Sequence, residues 1–158
     1  MAGALGLSPE RAEEVRLAGL LHDVGKVGIS QEIVTATAPL SAAQSEELRR
    51  HPEIGRRMLS GSRLALIRPW VLHHHERVDG GGYPAGLSGD EIPLEARIIA
   101  AADAFDALVC GRPGQDPAPV EDALRALERV AGAQLDPEVV DALRELVTSG
   151  APGAVPER

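Results

Sequence analysis

The chain has 158 residues, a length that suits one domain with a single hydrophobic core. Its formal net charge of −8 at pH 7 argues against binding of nucleic-acid polymers, but a small anionic ligand fits if metal ions or local cations offset the charge. Hydrophobic residues make up 44% of the chain, yet only Trp70, Tyr83 and Phe105 are aromatic. A core of alanine, leucine and valine favours closely packed helices over a β-sandwich.

The single cysteine, Cys110, excludes an internal disulfide and fits a reducing cytoplasm. The chain has no apolar run long enough to cross a membrane and no secretory signal pattern at its start. We therefore expect a soluble cytoplasmic protein without membrane association. Because no histidine lies near Cys110 in sequence, we expect its thiol to be a packing group rather than a nucleophile.

Helix-start signals appear in chain order from Ser8, a predicted N-cap followed by Pro9 and acidic residues. This first helix is predicted to end at Gly25, with a loop up to about Pro39. A second helical stretch begins at Ser41 and restarts at Pro52. Further helices are predicted over residues 63–77, 93–110, 120–130 and 137–148. No segment alternates long enough to predict a strand, so the predicted fold class is all-α, with a disordered tail over residues 149–158.

A loop rich in glycine and proline separates two of these helices, from Asp79 to about Ile92. It follows three consecutive histidines, in the stretch "VLHHHERVDGGGYPAGLSGDEIP", which contains five glycines and two prolines. Long loops inside compact domains are uncommon and are often functional, and glycine lets the backbone pass close to a ligand. The alternative is an ordinary surface turn.

Several histidine and aspartate side chains lie at predicted helix ends or on helical faces. They are His22, Asp23, His51, His74, His75, Asp103 and Asp106. Imidazole and carboxylate together suit divalent iron, manganese, cobalt, nickel or zinc. The set is larger than one tetrahedral zinc requires, and it fits a site with two metal ions a few Å apart.

Each of these groups has a structural alternative when taken singly. His22 and Asp23 could form a helix cap or a surface hydrogen bond, and His51 before a proline could be structural. The three consecutive histidines could form an exposed polar patch. The argument for a metal site is that all five histidines of the chain fall in these few segments.

Four segments closely resemble the HD-GYP family, a branch of the HD-domain metal-dependent phosphohydrolases. They are "LLHDVGKVGIS", "HPEIG", "HHERVDGGGYPAGLSGDEIPLEARIIAAADAFDAL" and "RP", in that order. The resemblance covers about residues 7–147. It implies an HD-domain helical bundle with a Gly/Pro-rich active-site loop over residues 1–148, and two or three bound divalent metal ions. It also implies hydrolysis of cyclic di-GMP, with a homodimer or a signalling partner as a further expectation.

Matched residue by residue, the resemblance implies a role for each motif position. The metal ligands would be His22, Asp23, His51, His74, His75 and Asp103, and His73 would not be a ligand. Lys26 and Asp23 would be catalytic, with Lys26 beside the scissile phosphate. Gly82, Tyr83, Pro84 and Arg112 would bind the substrate. Iron or manganese is the expected metal, and zinc, cobalt or nickel would also suit the ligands.

The sequence departs from the family pattern at three places. Family members carry a helix before the "LGLS" segment, with an acidic residue and a histidine that reach the metals, whereas this chain begins at Met1. The run after Arg112 is "RPGQDP", so Gln115 stands where a second phosphate-binding cation is usual. Val78 replaces a usual tryptophan. The domain is therefore expected to lack its first helix, with weakened metal binding and hydrolysis that the missing helix would restore.

Three functions remain open at this point. The first is a metal-dependent cyclic dinucleotide phosphodiesterase, which the complete His/Asp set favours. The second is a catalytically impaired signalling or interaction module, which the missing upstream ligands favour. The third is an HD hydrolase of another nucleotide phosphate, which the intact "GYP" loop disfavours.

Overall fold

The computed structural model describes residues 1–61, 64–111 and 115–150. In this part of the chain the elements are α-helices and short 3₁₀ turns, and the β-pairing consists of isolated bridges, such as those of Asp79 with Ser88 and Ala131 with Leu135. The helices are α1 (Pro9–Leu21), α2 (Gln31–Val34), α3 (Ala42–Leu48), α4 (His51–Met58), α5 (Arg68–His73), α6 (Leu94–Cys110), α7 (Val120–Val130) and α8 (Pro137–Thr148). The all-α prediction is confirmed. The predicted disordered tail lies almost entirely outside the described residues.

The predicted helix starts at Ser8 and Ser41 are present as N-caps. The Ser8 hydroxyl accepts a hydrogen bond from the backbone of Arg11 at 3.2 Å. Ser41 forms a reciprocal capping box with Gln44, with bonds of 3.3 Å and 2.9 Å. These local signals are readable from sequence because each one satisfies the free N–H groups of its own helix.

The segment after α1 differs from the prediction. The helix ends at Leu21, before Gly25, and the predicted loop contains a 3₁₀ turn at Val24–Gly28 and the short helix α2. Gly25 does not cap α1. Its Cα lies directly against the backbone of α4, a tertiary contact that the local pattern does not encode.

The helix predicted over residues 63–77 is also shorter in the structure. It is confined to α5, Arg68–His73, with Pro69 in its first turn. Residues 62–63 lie outside the described part, and the backbone turns after His74 into the Gly/Pro loop. Pro69 explains the late start, because a proline is tolerated in the first turn of a helix but disrupts its interior.

Helix α6 lies at the centre of the bundle and packs against α1, α5, α7 and α8. Phe105 and Trp70 are large buried side chains of this core. Ala18, Ala96 and Ala101 are fully buried and permit close approach of the helices. The alanine-rich composition therefore serves helix-to-helix packing, and α6 connects the core to the residues described below.

Cys110 does not follow the packing prediction, because its side chain is exposed at the end of α6. The neighbouring Val109 is the buried residue of that last turn. None of the helices in the described ranges is long and apolar enough to span a membrane.

Candidate metal centre

Asp23 and Lys26 are positioned by direct contact between two stretches of backbone. The 3₁₀ turn Val24–Gly28 lies on α4 so closely that a Cβ atom added at Gly25 would stand 1.9 Å from the carbonyl oxygen of His51. It would also stand 2.5 Å from the backbone nitrogen of Gly55. Only glycine fits here, and the contact places the residues around the turn beside the first residue of α4.

Four side chains converge on one point. Asp23, His51, His74 and His75 each offer a ligand atom, and these atoms all lie within 4.8 Å of one another. The Nε2 atom of His51 lies 3.2 Å from Asp23 Oδ1 and 3.4 Å from the Nε2 atom of His74. His51 and His74 are each only 1% exposed. We call these four residues the metal cluster.

His22 and Asp103 lie at the edge of the metal cluster. The Nε2 atom of His22 is 3.4 Å from Asp23 Oδ2 and 3.6 Å from Asp103 Oδ1. Asp103 comes from α6, so the first, fourth, fifth and sixth helices all bring residues to this region. The structure thus places all six sequence-predicted ligands together, four in the close group and two beside it.

The histidine rings are oriented by their own helices. The Nδ1 atoms of His22, His51 and His74 lie 2.6 Å, 2.8 Å and 2.7 Å from the carbonyl oxygens of the residues three positions earlier. A carbonyl oxygen only accepts hydrogen bonds, so each Nδ1 carries a proton and each Nε2 faces the cluster. Such a bond is the usual support of a metal-binding histidine.

The chemistry of the inner atoms fits a divalent cation. His22 Nε2 and Asp23 Oδ1 are buried, and no hydrogen bond reaches either atom from the described residues. Buried polar atoms of this kind are costly unless something binds them. The Nε2 atoms of His51 and His74 lie 3.4 Å apart, and the Nδ1 atom of each ring is already bonded to a carbonyl oxygen. A metal ion would satisfy all of these atoms.

The protonation states follow from burial and from neighbouring charge. Burial lowers the pKa of His74, and burial together with His51 lowers the pKa of His75 to about 4, so both are neutral at pH 7. Burial also opposes the charged form of His22, but the carboxylates of Asp103 and Asp23 outweigh it and raise the pKa of His22 to about 10. Burial alone would raise the pKa of Asp23. The neighbouring His22, His51 and Lys26 lower this pKa by more than burial raises it, so the net shift is downward.

A cleft of about 640 Å³ opens over the metal cluster. Asp23, His51 and His75 line it, and so do Lys26 and Tyr83. The Lys26 ammonium lies 2.5 Å from Asp23 Oδ2, and the ring of Tyr83 stacks on that of His75 with centroids 4.9 Å apart. A ligand in the cleft would meet a cation and an aromatic wall beside the cluster.

The remaining predicted residues are distributed around this cleft. Gly82 and Pro84 flank Tyr83 in the Gly/Pro loop, and Arg112 falls outside the described residues. His73 is not part of the metal cluster, and its Nδ1 atom lies 3.4 Å from a carboxylate oxygen of Glu76. Asp106, one helical turn beyond Asp103, lines the cleft but is not part of the metal cluster.

Three features of the site were not predicted from sequence. The guanidinium of Arg49 lies 5.2 Å from the centroid of Tyr83, and nothing in the sequence distinguishes Arg49 from Arg50. The close approach of Gly25 to Gly55 joins two distant motifs. The buried carboxylate of Glu76 follows the histidines directly, and its position before a loop rich in free N–H groups was a usable signal.

Residues 1–139 match the HD domain family. The chain is 43% identical over 146 residues to the cyclic di-GMP phosphodiesterase response regulator RpfG of Xanthomonas campestris pv. campestris, covering 90% of this chain and 39% of that protein. It is 36% identical over 148 residues to 3'3'-cGAMP-specific phosphodiesterase 2 of Vibrio cholerae serotype O1, covering 92% of this chain and 28% of that protein.

Among solved structures, the chain is similar to Bd1817, an HDG"Y"P protein of Bdellovibrio bacteriovorus. The TM-score is 0.73 at 20% identity, over 93% of this chain and 47% of the other, so the likeness shows a shared fold. The chain spans less than half the length of each of these proteins. Together with the motifs and the geometry, these matches confirm the resemblance seen in the sequence: the chain belongs to the HD-domain family, in its HD-GYP branch.

Proposed function

We propose that this domain hydrolyses a phosphodiester bond of a cyclic dinucleotide, with cyclic di-GMP as the first candidate. The observation that carries the proposal is the metal cluster, three residues of which line a cleft together with Lys26 and Tyr83. The relatives named above include cyclic di-GMP and 3'3'-cGAMP phosphodiesterases at 43% and 36% identity. We expect the metal ions to neutralise negative charge on the substrate. A cyclic dinucleotide suits this role, because each of its phosphates carries a negative charge.

The four residues of the metal cluster, together with His22 and Asp103, would hold two divalent metal ions. A third metal ion is compatible with the family. Iron or manganese is our first candidate for the metal, since imidazole and carboxylate ligands suit both. When bound, such metals activate water for attack on phosphorus and neutralise charge on the phosphate. The protein supplies the imidazoles in their binding tautomer and the carboxylates in their ionised form.

Lys26 is the candidate catalytic cation of the chain itself. Its ammonium lies beside Asp23 in the lining of the cleft, where it can offset the negative charge that grows on a phosphate oxygen during hydrolysis. The chain as a whole is acidic, with a net charge of −8, so local cations decide whether a phosphate is attracted to this cleft. Asp23 would hold both a metal and the ammonium in place.

Substrate contacts are proposed for the Gly/Pro loop and for Arg112. Tyr83 forms an aromatic wall of the cleft beside His75, and the loop around Gly82 and Pro84 carries that wall. We place the reaction in the cytoplasm, where the single exposed Cys110 would stay reduced. A homodimer or a signalling partner remains part of the proposal for the whole protein.

The deciding experiment is product analysis with the chain of residues 1–158. Protein loaded with Mn²⁺, or with Fe²⁺ under reducing conditions, is incubated separately with cyclic di-GMP and 3'3'-cGAMP, and products are separated by chromatography. We expect the linear dinucleotide or the mononucleotides, at rates that fall at least about 100-fold in an Asp23→Ala variant. Turnover of 3'3'-cGAMP alone would reassign the substrate. Binding of both nucleotides without turnover would favour a signalling module.

A further inference from the structure

Glu76 has a buried carboxylate that lies outside the metal cluster. The residue is 4% exposed, and its side chain is fully enclosed. A buried carboxylate normally has a cationic partner, because the uncompensated charge is costly. Within the described part of the chain, the nearby titratable group is His73, whose Nδ1 atom lies 3.4 Å from Oε1. The other groups that reach this carboxylate are hydrogen-bond donors of the backbone.

Those donors are three consecutive backbone N–H groups of the Gly/Pro loop. Ala85 donates to Oε1 at 2.7 Å, and Gly86 and Leu87 donate to Oε2 at 3.0 Å and 3.1 Å. Three such bonds to one carboxylate form an anion-binding turn of backbone, the arrangement that satisfies a buried charge without a counter-ion. The carboxylate is fully used by the loop, so it is not available as a metal ligand.

The same loop is tied to the histidine segment at a second place. The backbone N–H of Tyr83 donates to the carbonyl oxygen of His75 at 3.2 Å. Gly82 lies so close to Glu76 that an added Cβ atom would stand 2.4 Å from the Cα atom of Glu76. The loop is thus attached on both sides of Tyr83, and the ring of Tyr83 lies stacked on that of His75.

We propose that Glu76 is a positioning residue, which holds the Gly/Pro loop so that Tyr83 closes one side of the cleft over His75. Glu76 acts through the loop backbone and contacts neither the metal nor the substrate. The effect on substrate rests on the proposed function, whereas the effect on the loop does not. Because the Glu76 carboxylate bonds only the backbone of residues 85–87, none of which is a candidate metal ligand, the role predicts weakened substrate binding with metal binding retained.

Two variants of the whole chain separate this role from others. Glu76→Ala removes all three bonds, whereas Glu76→Gln keeps one acceptor oxygen and places an amide opposite the remaining N–H group. Glu91→Gln is the matched control, because Glu91 is an exposed carboxylate of the same loop segment that bonds Ser88. Circular dichroism in the far ultraviolet reports whether each variant keeps its helices.

The first readout needs no turnover. Tyr83 is the only tyrosine of the chain, but Trp70 also contributes near-ultraviolet circular dichroism, so the tyrosine signal is taken as the part that a Tyr83→Phe variant loses. We expect a change of this signal in both Glu76 variants, and none in the Glu91 variant. In the wild-type protein, the amides of Ala85, Gly86 and Leu87 should be protected from hydrogen exchange. This measurement does not depend on whether Glu76→Ala folds. Unprotected amides, or an unchanged tyrosine signal in Glu76→Gln, would overturn the proposal.

The second readout is kinetic. For folded Glu76 variants we expect kcat/KM for cyclic di-GMP to fall about tenfold to a hundredfold, mainly through KM, with the Mn²⁺ dissociation constant changed less than about threefold. A large loss of Mn²⁺ affinity with unchanged KM would make Glu76 a support of the metal site and contradict the positioning role. If the wild-type chain has no turnover, the proposed function fails, while the tyrosine signal and amide exchange still decide the role of Glu76.

Discussion

At the scale of single residues, three histidines of the site are oriented by the same local device. The Nδ1 atoms of His22, His51 and His74 each bond a carbonyl oxygen three residues earlier, near the end or the start of a helix. This hydrogen bond requires no contact with a distant segment of the chain, yet it determines which ring nitrogen can bind a metal. Orientation of these candidate ligands is thus local, while their meeting at one point depends on the fold.

The first prediction concerns metal affinity. His51→Ala removes an Nε2 atom that lies within 3.4 Å of both Asp23 and His74. We expect the Mn²⁺ dissociation constant to rise by about 100-fold or more, because losing even a supporting contact of a metal ligand costs about 10–100-fold. His73→Ala is the control, since His73 lies outside the metal cluster. Equal metal content in both variants, measured without an affinity tag, would contradict the ligand assignment.

The second prediction concerns protons. His22 has its pKa raised to about 10 in the metal-free protein, since Asp103 and Asp23 outweigh the effect of burial. At pH 7 to 9 the Nε2 atom is therefore protonated, and a metal ion must displace that proton. We expect release of about one proton per metal site at pH 8, and an apparent metal affinity that rises with pH up to about 10. Calorimetry in buffers of different ionisation enthalpy measures the release. A His22→Ala variant should release less, and equal release would contradict the assignment.

The third prediction uses a matched pair of arginines. The guanidinium of Arg49 lies 5.2 Å from the ring centroid of Tyr83 at the cleft, while Arg50 is its exposed neighbour in sequence. A cation here can meet a substrate phosphate, and one charge-assisted hydrogen bond corresponds to about a tenfold change in binding. We expect KM for cyclic di-GMP to rise about tenfold in Arg49→Ala and less than twofold in Arg50→Ala. Equal effects would show that only general charge matters.

At the scale of elements, the 3₁₀ turn Val24–Gly28 and helix α4 act as one unit. Their backbones touch where Gly25 faces the first turn of α4, and Gly55 lies one turn later against Val71 of α5. Through this contact Asp23 reaches His51, and α5 delivers His74 from the other side. The metal cluster therefore depends on Gly25, which accepts no side chain larger than a hydrogen atom, and on the tightly packed Gly55, where an added Cβ atom would stand 3.2 Å from a methyl group of Val71.

The fourth prediction tests this contact. Gly25→Ala would place a Cβ atom 1.9 Å from the carbonyl oxygen of His51, so the turn must move away from α4. Overpacking of this kind costs about 1–3 kcal/mol, and we expect weaker metal binding as well as a lower free energy of unfolding. Gly19→Ala is the control, because nothing lies within 4 Å of its Cβ position in α1. Alanine there should stabilise by up to about 1 kcal/mol. Chemical denaturation measures both, and equal stabilities would contradict the packing argument.

At the scale of the whole molecule, α6 joins the site to the rest of the bundle. It carries Asp103 to the edge of the metal cluster and Phe105 into the core two residues later. Its first turns are held by two half-buried ion pairs, Arg11 with Glu95 and Arg97 with Asp136, each at 2.7 Å or less. Asp136 also caps α8 through the backbone N–H groups of Glu138 and Val139.

The fifth prediction separates stability from function at this scale. Asp136→Ala removes both the partner of the Arg97 side chain and the cap of α8. We expect the free energy of unfolding to fall by about 3 kcal/mol, while the metal affinity of the folded protein stays within about twofold. Asp141→Ala, an exposed acid on the same helix, should change stability by less than about 0.5 kcal/mol. Denaturation and metal titration test both, and a large loss of metal affinity would show coupling across α6.

The amino-acid sequence by itself determined the all-α class, most helix starts and the candidate residues of the site. Interactions within one or two helical turns explain why these features could be predicted. They include the N-caps Ser8 and Ser41, the starts of α6 to α8 and the all-α class. The clustering of the histidines in a few motifs identified all six ligand candidates and the family. These signals are local or compositional, so a single sequence carries them.

Only the tertiary structure decided how these pieces meet. Three features depend on contacts between separate segments. They are the packing of Gly25 on α4, the shortening of the 63–77 helix to α5, and the hydrogen bonds of Glu76 with the N–H groups of residues 85–87. Such contacts depend on packing and on the satisfaction of buried charge, which leave little mark on neighbouring residues in the chain. For the same reason the exposure of Cys110 was missed: which side of the last turn of α6 faces the core is set by α7 and α8.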